Sequence, residues 1–215
     1  MDRMIYTAMT GAAAVMNRQQ AIANNLANVS TNGFRAEMST YRSVPLQGDG
    51  ATTRVFALEA TAGHMDLPGP MNSTGRNLDV AAVGNAYFAV QALDGVEAYT
   101  RAGNLQVSPD GTLTSAAGLP MLDEGGAPIA IPENARVSIG TDGTITAQVG
   151  NDPAQQLGRL KLVTPSEELR LKRGNDGLFR TQDRSPLPQD ANARLQDGML
   201  EGSNVNAVEA MVGMI

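Results

Sequence analysis

The chain has 215 residues, 42% of them apolar, with a formal charge of −6 and a pI near 4.8. That apolar content supports one large core or two small ones, while an acidic balance with no Lys/Arg cluster argues against a nucleic-acid footprint. Zero cysteines exclude a disulfide framework, a thiolate nucleophile and a Cys-ligated metal; with 4% aromatics and no Trp, the core must rest on Val, Leu, Ile, Ala and Met.

The N-terminal segment carries apolar or small residues at Met1, Ile5, Ala8, Ala12, Val15, Ile22, Leu26 and Val29, with Gln19 as the one polar member of the series. Steps of three and four predict a helix with the 3.5-residue period of a coiled-coil seam, sustained for about four heptads. Its other face is nearly uncharged: Arg18 is the only charge between Arg3 and Arg35, while Thr7, Thr10, Asn17, Gln20, Asn24, Asn25 and Asn28 supply neutral hydrogen-bonding groups. A solvated face normally carries i,i+4 acid-base pairs, and this one has none. The helix could dock on its own domain. The amide-rich face and the small residues Gly11, Ala12, Ala13 and Ala14 favour burial among neighbouring subunits instead. Without acid-base pairs it is expected to be weakly stable in a monomer. Asn28, Ser30, Thr31, Asn32 and Gly33 then predict a helix stop between Asn28 and Gly33. No run reaches the roughly 18 apolar residues of a membrane span, and the start matches a cleaved signal peptide poorly, so no membrane insertion is expected.

Residues 35–75 mix Thr, Ser, Gly and Pro with pieces such as Val55-Phe56-Ala57-Leu58, punctuated by Gly48-Asp49-Gly50 and Leu67-Pro68-Gly69-Pro70. They read as an extended connector with one or two strands. From about residue 76 to 180 the period becomes two, with strands expected around Leu78–Val80, Tyr87–Val90, Leu105–Val107, Val137–Ile139, Thr144–Thr146 and Leu160–Val163. Asp94-Gly95, Asp110-Gly111, Asp142-Gly143 and Asp176-Gly177 are hairpin signals, so this segment reads as an antiparallel β domain. Residues 181–202 are polar and Pro-containing, a return connector. In residues 203–215, Asn206 with Glu209 resembles a capping box, and Val205, Val208, Val212 and Ile215 step by three and four. A second seam helix begins there, and a helix so short is expected either to continue past Ile215 in the natural protein or to borrow partners. The fold class expected is therefore α+β: terminal helices, residues 1–34 and 203–215, pairing as a coiled-coil-like stem, with an antiparallel all-β domain inserted between them.

Catalytic constellations are nearly absent. His64, the only histidine, excludes multi-His metal sites and reads as a loop residue. The Asp-Gly pairs lack the ligand spacing of a calcium loop, and no phosphate loop occurs. Asp123-Glu124 and Glu167-Glu168 fit glycoside hydrolysis by residue type alone. No enzyme activity and no cofactor are expected.

The run Asn24-Asn25-Leu26-Ala27-Asn28-Val29-Ser30-Thr31-Asn32-Gly33-Phe34-Arg35 resembles the signature of the flagellar rod and hook proteins. Three further blocks resemble that family: Thr74–Val80, Tyr99–Leu105 and Leu200-Glu201-Gly202-Ser203-Asn204-Val205. The opening Met1–Met9, Phe34-Arg35-Ala36, Gly158–Val163, Asp176–Arg180 and Val208–Met211 are most similar to a proximal-rod member. The resemblance implies a structural subunit of the periplasmic drive shaft of the bacterial flagellum. It also implies export through the flagellar type III apparatus without a cleaved signal, and copies of itself and other rod proteins as partners. The assembly interface expected from seam and signature together comprises Ile5, Ala8, Ala12, Val15, Gln19, Ile22, Asn24, Asn25, Leu26, Asn28, Val29, Gly33 and Phe34 at one end. At the other it comprises Leu200, Gly202, Asn204, Val205, Val208, Val212 and Ile215. Alternatives are a distal-rod or hook relative or, from other classes, a cell-wall hydrolase or a secreted adhesin.

Overall fold

The computed structural model describes residues 4–45, 55–166 and 169–215, which divide into two compact units. Met1, the Gly48-Asp49-Gly50 turn and the Glu167-Glu168 pair lie outside the described residues.

The first unit contains helix α1 (Met4–Ala27), strands β1 (Glu37–Pro45) and β2 (Val55–His64), and the short helix α2 (Ala207–Gly213). The amide of Asn28 makes the last i→i−4 bond of α1, to Asn24 O at 3.2 Å, so the helix stops where the Asn and Ser residues begin to compete for its backbone. β1 and β2 form an antiparallel hairpin, with a bulge at Thr40/Tyr41, inside the stretch expected as a connector. His64 closes β2 opposite Glu37, in a strand and not in a loop. In α2, the Asn206 side chain accepts from the amides of Val208 and Glu209 at 3.1 and 3.3 Å. This is the N-cap that its sequence predicts.

The second unit is entirely β: β3 (Met71–Ser73), β4 (Val80–Ala82), β5 (Tyr87–Gln91), β6 (Glu97–Thr100), β7 (Leu105–Val107), β8 (Leu113–Ser115), β9 (Ala135–Ile139), β10 (Thr144–Val149), β11 (Gln155–Arg159), β12 (Leu162–Val163), β13 (Leu171–Arg173), β14 (Phe179–Thr181), β15 (Leu195–Asp197) and β16 (Met199–Glu201). All its strand pairings are antiparallel. The four Asp-Gly signals lie in the β5–β6, β7–β8, β9–β10 and β13–β14 turns, each with its Gly at positive φ. In three of them the Asp Oδ1 accepts the amide two residues on, at Val96, Thr144 and Leu178.

The largest sheet, β12-β5-β6-β14-β13, is buried on both faces. Alternation along β5 sends Phe88 and Val90 into a core with Val80, Leu105, Leu113, Met121, Ile145 and Leu160. Tyr87 and Ala89 go to the other side, against Tyr99, Leu171, Phe179 and Leu187. Tyr87 meets Phe179 edge-on at 5.2 Å. The Tyr99 hydroxyl donates to Glu97 Oε1 at 2.8 Å and accepts from the Leu187 amide at 2.6 Å, and burial pushes this phenol above its ordinary range. Lys161 Nζ closes the group on Glu97 at 2.8 Å. The polar stretch expected as a return connector is woven into the unit: β15 pairs with β4, and β16 with β3. Its backbone donors and acceptors are answered by strand pairing, which a reading of polarity alone does not reveal.

Four turn aspartates titrate below the usual carboxylate value of 3.8. The Thr144 hydroxyl lowers Asp142, the Arg180 guanidinium lowers Asp176, the Ser185 hydroxyl lowers Asp183, and the Thr164 hydroxyl lowers Asp190. A depressed folded value means stability that is present above the unfolded value and is lost as pH falls through the folded one. The urea midpoint of the chain is therefore expected to decline below about pH 4, and an Asp142→Asn/Asp176→Asn variant to decline less steeply there, as read by circular dichroism.

Candidate assembly interface

The two terminal helices present apolar side chains to solvent. Ile5 is 71% exposed, Val15 60%, Met16 71%, Val208 66% and Val212 67%; on a lone subunit these would leave a long greasy face in water. Ala8, Ala12 and Gln19 are exposed on the same seam, as is Ile215. Tyr6, Met9 and Met16 form a second exposed stripe one position along, and Met211 is exposed on α2. These were not among the expected interface residues, although their spacing of three and seven is the signal that marks a helix face. Within the first unit, α2 lies against α1: Gln19 Nε2 donates to Met214 O at 3.2 Å, and Gly213 faces Ile22. Ala21 on α1 is buried, and Ile22, Leu26 and Val29 are half-buried.

The amides at the end of α1 are engaged within the chain. Asn25 pairs with the backbone of Glu37 as a strand would, donating to its carbonyl at 2.9 Å and accepting its amide at 2.8 Å. Asn24 Nδ2 donates to Glu37 Oε2 at 2.9 Å, and Asn28 Nδ2 to Asn24 O at 2.9 Å. Asn204 brackets three backbone groups: Oδ1 accepts the Ala36 amide at 2.6 Å, and Nδ2 donates to Met65 O and Leu67 O at 2.9 and 2.8 Å. Val205 is half-buried.

In the second unit, the end of the signature is a lock. Phe34 N–H returns to Thr31 O at 3.2 Å, closing a four-residue turn whose third position, Gly33, has φ +71°. Only glycine adopts that conformation at little cost, and a Cβ here would lie 2.4 Å from the Arg101 carbonyl carbon. Gly33 N–H donates to Glu201 O at 2.8 Å. Phe34 is buried beneath the Arg173 guanidinium, 4.1 Å from its ring centre. Gly202 N–H donates to Pro70 O at 2.8 Å, and Leu200 is half-buried on β16.

Arg101 and Glu201, each 1% exposed, form the charged centre of this lock. Arg101 Nε donates to Glu201 Oε2 at 2.7 Å, and Nη2 makes a second, short bond to the same oxygen. Nη1 donates to Gly84 O and Ala86 O, Nη2 also to Ala82 O, and Glu201 Oε1 accepts the Gly69 amide at 2.9 Å. Both residues lie inside blocks quoted for the family resemblance, but neither was singled out as a site. A pairing 100 residues apart leaves no periodic trace in sequence.

The carboxylates of Asp123 and Glu124 are engaged in separate contacts. Asp123 Oδ1 caps its own turn at the Ala127 amide, and Glu124 meets Gln189 at 2.6 Å and Arg159 at 3.4 Å. Among the described residues no group of three His, Asp or Glu gathers as a metal site, and no helix is long and apolar enough to cross a membrane.

Comparison with known proteins matches three consecutive parts of this architecture. Residues 5–35 match the family described as flagella basal body rod protein, and residues 81–147 the flagellar hook protein FlgE/F/G D1 domain. Residues 196–215 match the flagellar basal body rod FlgEFG protein C-terminal family. Over its full length the chain is 48% identical to the flagellar basal-body rod protein FlgF of Escherichia coli K12, and covers 88% of it. The chain belongs to the flagellar basal-body rod family. Within that family it is most like FlgF: the Salmonella typhimurium LT2 FlgF is 45% identical with 88% of its length covered, whereas Bacillus subtilis FlgG is 30% identical with 89% covered. The rod-family matches fall on α1 with its lock, on the core of the second unit, and on β16 with α2.

Arg101→Met is expected to lower the unfolding free energy of the second unit by about 3–5 kcal/mol, because Glu201 is left buried and unpaired. Arg101→Met/Glu201→Gln should lose less than the two single variants combined, a coupling that urea denaturation of the four proteins measures.

Proposed function

We propose that this chain is a structural subunit of the bacterial flagellar basal-body rod, in its proximal part, polymerising through its terminal helices to transmit torque. The observation that carries this reading is the exposed apolar seam of Ile5, Val15, Val208 and Val212 on a chain of the rod family. Copies of the chain and other rod proteins would cover that seam, with α1 and α2 pairing as a coiled-coil-like stem and residues 76–180 carried outside it. The role is structural and involves no catalytic step.

Two groups of residues divide the work. Ile5, Ala8, Ala12, Val15, Gln19, Val208, Val212 and Ile215 meet neighbouring subunits, while Asn24, Asn25, Asn28 and Asn204 hold the helix end and its flanking strands and Gly33, Phe34 and Gly202 build the lock of the second unit. Ile22, Leu26, Val29, Leu200 and Val205 stand between these groups, half-covered in the subunit. An α1 with no acid-base pairs and a chain with no cysteine suit passage, unfolded and without a cleaved signal, through the flagellar type III apparatus to the periplasm. The same-family alternative, a distal-rod or hook subunit, draws on the 30% identity to FlgG.

Val15→Glu and Val212→Glu place charge on exposed positions, so the purified subunit should keep its melting temperature to within the small effect typical of surface changes. In a strain relying on either variant, swimming should be lost and the subunit should be missing from isolated basal bodies; normal motility would overturn the assignment of the seam. In the isolated wild-type subunit, amides from Ile5 to Val15 are expected to exchange faster than those from Ala21 to Asn28, where Ala21 is buried and Asn25 is bonded to Glu37. Equal, strong protection along the whole of α1 would contradict a helix completed by its neighbours.

A further inference from the structure

Asn32-Gly33 is the only Asn-Gly pair in the sequence. We infer that this pair is a site of spontaneous succinimide formation and deamidation that folding of the second unit switches off.

The chemistry needs only water. The Gly33 amide nitrogen loses its proton and attacks Asn32 Cγ, forming an N–C bond, and the side-chain nitrogen leaves as ammonia. Water then opens one of the two carbonyl–nitrogen bonds of the ring, giving aspartate or isoaspartate. Glycine at the second position leaves the attacking nitrogen sterically open, so an unfolded chain reacts here first.

The folded unit removes each requirement. Gly33 is buried and its N–H is committed to Glu201 O at 2.8 Å, so the proton that must leave is held in a hydrogen bond at a buried residue. The attack also needs the peptide plane of Gly33 to turn toward the Asn32 side chain. That plane is fixed by the Thr31–Phe34 turn and packed against the Arg101–Ala102 peptide, which leaves less than 3 Å for even a Cβ. The Glu201 carbonyl that holds the Gly33 amide belongs to a residue whose carboxylate is tied to Arg101 and to the Gly69 amide, so this acceptor has little freedom to follow such a rotation. Isoaspartate would insert a methylene into the backbone at position 32 and so shift Gly33 out of the register in which its amide meets Glu201 O and its α-carbon packs on the Arg101–Ala102 peptide. A chain that reacts before folding therefore cannot close the lock.

The test compares the full chain at pH 8 in buffer with the same chain in 8 M urea (a concentration in the usual denaturing range, about 8 M), followed by proteolysis and mass spectrometry of the peptide spanning Asn32. In urea, the peptide should gain the mass of the amide-to-acid change and an isoaspartate signal. In buffer, conversion should be slower by about tenfold or more, following the population of the open state. Glu201→Gln, which weakens the ion pair while keeping an acceptor for Gly69, should convert faster than wild type while folded. Chain fully converted in urea should fail to regain the β-sheet circular dichroism of the second unit on dilution, whereas unconverted chain regains it. Equal rates in buffer and urea, conversion at other positions ahead of Asn32, or normal refolding of the isoaspartyl chain would each overturn the inference.

Discussion

Two charges withdrawn almost completely from water define the constraint on which the second unit depends. Removing a guanidinium and a carboxylate from solvent costs several kcal/mol each, and their attraction offsets this only when the remaining donors and acceptors are also answered. Here they are: Arg101 reaches three backbone carbonyls besides its carboxylate, and Glu201 takes the Gly69 amide on one carboxylate oxygen while its own carbonyl takes Gly33. Five chain segments, around Gly33, Gly69, Ala82–Ala86, Arg101 and Glu201, are thereby held in one register. An apolar pair of the same volume would fill the space as well, yet it would leave the three carbonyls of Ala82, Gly84 and Ala86 and the Gly69 amide without these partners. The ion pair is therefore better understood as a specifier of geometry than as a source of stability.

Local features were legible in the sequence because their causes are local. The Asp-Gly turns declared four hairpins, the three-and-four spacing declared α1, and Asn206 declared the start of α2. The signature at the end of α1 was legible as a stop, but it mixes two roles that spacing cannot separate. Val15 and Ile5 face solvent, while Asn24 and Asn25, expected at the same interface, bond Glu37 of their own chain. An amide on a helix pairs equally well with a strand twelve residues on or with a neighbouring molecule, and its sequence neighbours are identical in both cases. Arg101, Glu201 and the strands β15 and β16 were illegible for a different reason: their partners are distant in the chain, and a polar strand that pairs at the end of a domain has the composition of a linker.

The two units also differ in how they use charge. On α1 itself the polar groups are mostly amides and hydroxyls, with Arg18 the one charge in the helix. In the second unit, ion pairs such as Lys161–Glu97 and Arg180–Asp176 lie between strands and at turns. A neutral helix face tolerates identical copies of itself at close range, whereas a charged face repeated around an assembly would repel. α1 carries no acid and α2 only Glu209, so the acidic character of the chain lies almost wholly outside the helices.

The pairing of β4 with β15 and of β3 with β16 joins the first strands of the second unit to its last. Hairpins such as β5–β6 close a few residues after they are made. The outer strands must instead wait for partners near the end of the unit, across a loop such as that from Gly69 to Glu201, 132 residues, before they gain their strand pairing. A chain delivered amino end first, whether from a ribosome or through a narrow channel, thus carries β3 and β4 without their partner strands until residues 195–201 have emerged. Completion of the β unit is thereby coupled to complete delivery of the polypeptide through most of its length, and a stalled chain keeps two open strand edges and a buried arginine site without its acid.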